Sequence, residues 1–199
     1  MPETSRDLEF LYEIGSLRNM QRGWRQHLGV DCANDLEHTM RVVFLALILA
    51  RRIGGCDENK VIKMALTHDL CETRTSDLSY VQKVYAKLDE ERATQDLFAG
   101  TIIQDYADLV AEWERRDSLE AKIVKDADNL DIDIELMELD EQGHKLPTKW
   151  VTASNRQKVR NEKLYTEEAK KLWDEIHSSD PASWHMGTNK WKTDPTAGK

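Results

Sequence analysis

The stretch from Asn34 to Gly55 constrains the fold more than any other. Asn34 and Glu37 have the spacing of a capping box, with Asn in place of the usual Ser or Thr. The residues that follow, Asp35 to about Ile53, are apolar nearly all round in their second half. A helix of that kind belongs in the middle of a bundle. Gly54-Gly55 ends it. Its apolar run, Val42 to Ala50, is nine residues long and closes on Arg51 and Arg52. A membrane span needs ~18–20, so the expectation is no membrane association.

Helical spacing recurs along the rest of the chain, and strand-like alternation is hard to find. Leu8 to Met20 suggests a first helix, and Asp57 can cap one running to about Leu70. A polar stretch, Glu72 to Ser79, breaks the pattern. Further helices are expected over Tyr80–Leu97, with a break near Asp89–Arg92, then Thr101–Arg115 and Ser118–Glu141. Asp117 and Glu120 repeat the capping-box spacing. Gly143 and Pro147 mark a loop, Tyr165–His177 a further helix, and a tail with Trp184 and Trp191 follows. The 199 residues, four prolines and absence of a linker-like stretch predict one all-α domain over 1–199. Its core would span about 8–145, with a C-terminal helix and tail over about 146–199.

Composition narrows the function. The net charge of −9 makes a poor match to a nucleic-acid polymer, whose phosphates demand dense Lys and Arg. Three cysteines (Cys32, Cys56, Cys71) form no CxxC pair, and the acidic N-terminus lacks the order of a secretory signal. The expectation is a cytoplasmic protein with reduced thiols.

The chemistry centres on His68-Asp69, which follows the apolar Met64-Ala-Leu66. A charged pair there is costly to bury unless satisfied. Glu72 lies four residues after His68 and three after Asp69, a spacing that returns it to the same side. A nitrogen ligand, a carboxylate ligand and a free carboxylate would then face one point, as metal-assisted hydrolysis requires. His38 in the central helix and Asp128 in the Glu120–Leu139 segment complete a His2Asp2 set. Such mixed ligation suits Mn, Co, Fe, Ni or Zn. Each residue also has an ordinary reading: His38 as a polar residue near a helix start, Asp128 as one acid of a solvated Asp126–Asp133 face. His27, His144, His177 and His185 lack ligand-like spacing and read as surface or loop residues. Trp113, Trp150 and Trp173 read as packing anchors.

Taken together, these pieces resemble the HD-domain phosphohydrolases, whose pattern is H…HD…D, and within them the 5′-deoxynucleotidase group. The resemblance rests on Arg22-Gly-Trp24, Leu36-Glu-His38, Lys63-Met-Ala-Leu-Thr-His-Asp69 through Glu72, Arg74 and Asp77, and Ala121-Lys-Ile-Val-Lys-Asp-Ala-Asp128. It implies a helical HD bundle with one divalent metal, Mg included, held between helices by His38, His68, Asp69 and Asp128. It implies that Glu72 orients or deprotonates water and that Arg22 pairs with the phosphate. Trp24 would shape the sugar pocket, and Asp77 would contact the sugar or move a proton. The substrate would be a small nucleotide and the protein a homodimer, with the apolar residues of Tyr80–Tyr106 (Val81, Val84, Leu88, Leu97, Ile102, Ile103) as its interface. Ser76 stands where the family often has Gly, and Asn34-Asp-Leu-Glu37 where it usually has Ser-Val or Ser-Val-Ala. Dinuclear members place extra histidines between the HD pair and the last aspartate; this chain has none there, so one metal is expected. The alternatives are a hydrolase for another small phosphate ester or nucleotide, a non-catalytic nucleotide- or metal-binding HD module, and a metal-free helical interaction domain.

Overall fold

The long helices begin where a short polar side chain can take up a free backbone N–H. In the computed structural model, which describes residues 5–152 and 155–186, Ser5 caps α1 (Arg6–Gly15). A 3₁₀ turn over Ser16–Asn19 and the one-turn α2 (Arg25–Leu28) lead to α3 (Asp35–Ile53). There the capping box is reciprocal: Glu37 N–H donates to Asn34 Oδ1 at 3.0 Å, and Asn34 N–H donates to Glu37 Oε2 at 3.1 Å. Asp57 caps α4 (Glu58–Thr67), and the one-turn α5 (Glu72–Thr75) follows. The remaining helices are α6 (Glu90–Phe98), α7 (Tyr106–Arg115), α8 (Leu119–Glu141), α9 (Lys145–Thr152), α10 (Asn155–Glu162), α11 (Glu167–Ser178) and α12 (Ser183–Met186). No sheet forms among the described residues; an isolated bridge joins Gln21 to Asn34.

The core is the packing of α3 against α8 and α4, with α7 and α11 closing its sides. Val42, Ala46 and Leu49 meet Val61, Met64 and Ala65 from α4 and Ile123, Ala127 and Leu130 from α8. Trp113 and Trp173 are buried anchors of this cluster. A smaller cluster of Phe10, Leu97, Phe98 and Val110 ties α1 and α6 to α7. No helix among the described residues is long and apolar enough to cross a membrane.

Several expectations need correction. The first helix stops at Gly15, and Tyr80–Leu97 is not one helix: a 3₁₀ turn at Gln82–Val84 precedes α6. The Thr101–Arg115 helix starts only at Tyr106. The loop read from Gly143 and Pro147 is short, because Pro147 sits in the first turn of α9, where its missing N–H costs no bond. Ser118, not Asp117, caps α8, and Glu120 instead accepts the Asp57 N–H at 3.0 Å. Trp191 lies outside the described residues.

The acidic run of α8 departs most from expectation. Asp126, Asp128, Asp131 and Asp133 are all buried. Asp126 accepts the N–H groups of Tyr165 and Thr166 at 2.7 and 2.9 Å and so seats the start of α11. Asp133 takes a two-pronged bond from Arg156 at 2.6 and 2.8 Å and lies 3.1 Å from His177 Nε2. His177, read as a surface residue, is half-buried by that contact. Periodicity missed this because a carboxylate with its own partner can be buried like an apolar side chain.

The central helix is also less enclosed than its composition suggests. Leu36, Met40, Phe44 and Ile48, four residues apart, are 43–60 % exposed. Of the residues assigned to an interface, Leu97 is fully buried and Ile103 packs against the smaller cluster, while Val81, Val84 and Ile102 are exposed.

Removing one member of a buried ion pair strands the other, a loss of ~3–5 kcal/mol. Asp133→Ala should therefore lower unfolding stability by about that amount. Chemical denaturation showing a loss within error of zero would mean that Arg156 finds another partner.

Candidate metal centre

Three helices deliver four side chains that could hold a metal to one point. His38 comes from the second turn of α3, His68 and Asp69 from the turn that ends α4, and Asp128 from the middle of α8. One ligand atom from each lies within 4.8 Å of the others. Both imidazoles are buried and oriented through Nδ1, which faces only acceptors: Asp131 Oδ2 at 2.6 Å for His38 and the Ala65 carbonyl at 2.8 Å for His68. Nδ1 is then a donor in each ring, and the Nε2 atoms point inward; against burial and Arg22, the facing Asp128, Asp131 and Asp69 hold the His38 imidazole well above its ordinary value. Neither Nε2 has a hydrogen-bond partner. Their nearest carboxylate oxygens stand at 3.1 Å (His68 to Asp69), 3.3 Å (His38 to Asp128) and 3.5 Å (His38 to Asp69). Bonds of ~2.1 Å to a shared cation place neighbouring ligand atoms about 3.0–3.4 Å apart. The donor set therefore fits a divalent cation. Histidine ligands fixed by a carboxylate or carbonyl on the other nitrogen are the usual arrangement at such centres.

Burial alone would push the Asp69 and Asp128 carboxyls up. The histidines more than offset this for Asp69, and Lys125 and His38 do so for Asp128, so both are held well below the usual carboxylate range. A second acid set adjoins the first. Asp35, Glu72 and Asp77 also bring one oxygen each within 4.8 Å. Burial, reinforced by Asp69, Asp77 and Asp35, pushes Glu72 up to about 10. Burial raises Asp35 to about 7, against the pull of Arg22. Both Asp35 oxygens and Glu72 Oε2 lack hydrogen-bond partners. The pocket holds more carboxylate than its cations neutralise.

Arg22 sits between the two sets. Its guanidinium lies 3.3 Å from Asp77, 3.5 Å from Asp69 and 3.7 Å from Asp35, and the residue is buried. Asp77 also accepts the Gly23 N–H at 3.1 Å. Gly23 is required there: a Cβ would fall 2.5 Å from Ser79 N and 2.6 Å from Asp77 O. Ser76 takes φ 66°, the left-handed region glycine occupies at no cost.

Arg22, His68, Asp69, Glu72, Asp77 and Asp128 line a polar cavity of about 220 Å³. Arg22, Asp77, Lys83, Lys125 and Asp128 are shared with a neighbouring, more apolar cavity of about 600 Å³. Trp24 lines that larger space with Trp150, the two rings nearly parallel at 6.0 Å between centroids. Trp150, read only as a packing residue, is thus a wall of the cavity.

Sequence reasoning also missed Asp35, Asp131, Lys125 and Arg116. Lys125 Nζ lies 2.6 Å from Asp128 Oδ2, and Arg41 Nε lies 2.5 Å from Asp131 Oδ1. The spacing Asp128-x-x-Asp131 placed both acids on one face and was the available signal. Glu72 lines the same cavity as His68 and Asp69, and it also groups with Asp35 and Asp77.

The sequence matches the HD domain family over residues 14–173. A Dictyostelium discoideum protein named 5′-deoxynucleotidase HDDC2 is 30% identical over 156 residues, 71% of this chain and 82% of its own length. The Saccharomyces cerevisiae 5′-deoxynucleotidase YBR242W is 22% identical over 152 residues, 71% of this chain and 63% of its own. Among solved structures, a conserved hypothetical protein from Pyrococcus furiosus superposes with a TM-score of 0.70 at 26% identity, covering 85% of this chain and 98% of that one. A Magnetospirillum magnetotacticum protein described as a predicted metal-dependent phosphohydrolase shares the fold at TM-score 0.66 and 21% identity, covering 86% and 91%. The matched span contains both histidines, the adjoining aspartate and Asp128, together with the helices that carry them, and the chain belongs to the HD-domain family.

Proposed function

We propose that this protein is a metal-dependent 5′-deoxynucleotidase, converting a deoxynucleoside 5′-monophosphate and water to deoxynucleoside and phosphate. One observation carries the reading. Two unpartnered imidazole Nε2 atoms and two ionised carboxylates converge on one point, and His68, Asp69 and Asp128 of that set line a cavity with Arg22 and Glu72. The relatives that bear this activity in their names add to it.

His38, His68, Asp69 and Asp128 would hold the cation. Such an ion supplies Lewis-acid charge neutralisation and lowers the pKa of a bound water. Mixed imidazole and carboxylate ligation suits Mn, Co, Fe, Ni or Zn, and Mg completes the set of ions to test. Glu72 takes the proton of the attacking water. A carboxylate raised by burial is a stronger base than an exposed one, once nearby positive charge keeps it ionised. Arg22 pairs with the phosphate, and Asp77 holds Arg22 in place through Nε. As the P–O5′ bond breaks, the leaving oxygen takes up the proton that Glu72 removed from water, and the nucleoside departs through the larger cavity. Trp24 and Trp150 wall the sugar and base there.

The test is phosphate release from a panel of ribo- and deoxynucleoside monophosphates with each divalent ion, alongside metal content. Deoxynucleotides should be hydrolysed in preference, with one tightly held metal per chain that Asp69→Ala loses. Activity confined to another phosphate ester would move the substrate assignment while leaving the centre intact. A second reading, a two-cation centre, is favoured by the unpartnered oxygens of Asp35 and Glu72. Two metals per chain, one of them lost with Glu72→Gln, would establish it over the one-metal reading.

Glu72→Gln should retain the tightly held metal and lose ~10²–10⁴-fold in kcat, the usual contribution of a general base. Near-normal turnover in the metal-loaded variant would remove Glu72 from the chemistry.

A homodimer belongs to the same reading, with its interface moved to the Leu36, Met40, Phe44 and Ile48 stripe. That stripe repeats every four residues along one helix, as a self-complementary helix contact requires. Light scattering should give twice the 23.0 kDa chain mass, falling to the monomer with Phe44→Asp. A monomeric parent protein at micromolar concentration would sink the dimer.

A further inference from the structure

Four cations line the polar cavity: Arg22, Lys83, Arg116 and Lys125. Their availability to a substrate anion differs. Arg22 is surrounded by three carboxylates within 3.7 Å, and Lys125 is held on Asp128 at 2.6 Å. Lys83 is exposed. Arg116 is neither neutralised nor exposed. Its Nη1 is buried without a hydrogen-bond partner, and its ion pair with Glu114 is stretched to 4.0 Å. Its guanidinium carbon stacks 3.7 Å from the centroid of Trp113, the ring whose edge meets His68. Stacking on an aromatic face fixes the plane of the fork without using its N–H donors.

The backbone adds a second, independent observation. Arg116 ends α7 at φ 58° and ψ 27°, a left-handed conformation that disfavours any side chain and that glycine adopts freely. Non-glycine residues held this way cluster at functional sites. Burial also lowers the arginine from its ordinary value, with the Glu114, Asp128 and Asp69 charges only partly offsetting it. An incoming dianion would relieve that cost.

We propose that Arg116 is a second phosphate-binding residue of this cavity, donating its free Nη1–H to a non-bridging oxygen of the substrate's phosphate monoester. It approaches from the α7–α8 turn, whereas Arg22 approaches from the segment before α2. This rests on the phosphomonoesterase reading above and assigns the phosphate two arginine forks rather than one. A phosphate monoester carries nearly two negative charges at neutral pH, and its three free oxygens can accept from both.

The experiment measures inorganic phosphate and deoxyadenosine binding by calorimetry at saturating metal, with melting temperature and kcat/KM. The proteins are the parent, Arg116→Gly, Arg116→Met and Arg116→Lys. Arg116→Gly relieves the left-handed backbone, so its melting temperature should hold or rise. Phosphate affinity and kcat/KM should nevertheless fall about tenfold or more in the Gly and Met variants, a charge-assisted bond being lost. The Lys variant should fall between them and the parent, and deoxyadenosine binding should not change. Parent and Arg116→Gly proteins that bind phosphate equally would overturn the assignment while leaving the phosphomonoesterase reading standing. So would variants that only lose metal affinity, or only lose stability. A parent protein that neither binds phosphate nor releases it from any monophosphate overturns the underlying reading, and the proposal with it.

Discussion

Buried carboxylates on α8 need partners, and much of the structure is arranged to provide them. An unpaired charge in a protein interior costs several kcal/mol, so each acid of this helix must be matched by a separate element. Asp126 is matched by the backbone N–H groups that open α11. Asp131 is matched by His38 from α3 and Arg41 one turn later. Asp133 is matched by Arg156 from α10 and by His177 from α11. These contacts set the register of α8 against its neighbours more strictly than apolar packing can, because a carboxylate has only a few acceptable geometries. Asp128, in the same register, is thereby placed among the site side chains.

The site inherits its order from that framework. The Asp131 bond fixes the His38 ring, and the free carbonyl of Ala65 in the last turn of α4 fixes His68. Both rings then present Nε2 without any flexible group having to be ordered on binding. Pre-oriented donors of this kind lower the entropic cost of ligation. The cost appears as electrostatic strain: Asp35, Glu72 and Asp77 crowd around one arginine, and Glu72 is pushed up to about 10. A centre tuned for a cation is unfavourable as bare protein, which is the common trade between stability and activity.

Gly23 shows how one residue can serve both levels. Its missing side chain lets the chain before α2 touch the backbone of residues 77–79, and that contact brings Arg22 and Asp77 together. Arg22-Gly-Trp24 thus works as a unit: the arginine faces the polar cavity, the tryptophan faces the larger one, and the glycine makes the approach possible.

Short-range signals in the chain specify the helical class, the central place of α3 with its Asn34–Glu37 cap, and the four residues that meet at the centre. Those signals are local or one-dimensional: a 3.6-residue period, a capping spacing and a short motif. They misplaced what depends on partners distant in the chain. Asp126 to Asp133 looked like a solvated face because nothing local announces Arg156, Tyr165 or His177 as partners. Glu72 shares the cavity with His68 and Asp69, as its spacing implies, but nothing local announces Asp35 and Asp77 as its other neighbours. Arg116 carries no sequence signal; its stacked guanidinium, with Nη1 unpartnered, depends on α7 ending left-handed against Trp113. Charge compensation and cavity shape arise from side chains tens of residues apart, so only the tertiary structure decided them.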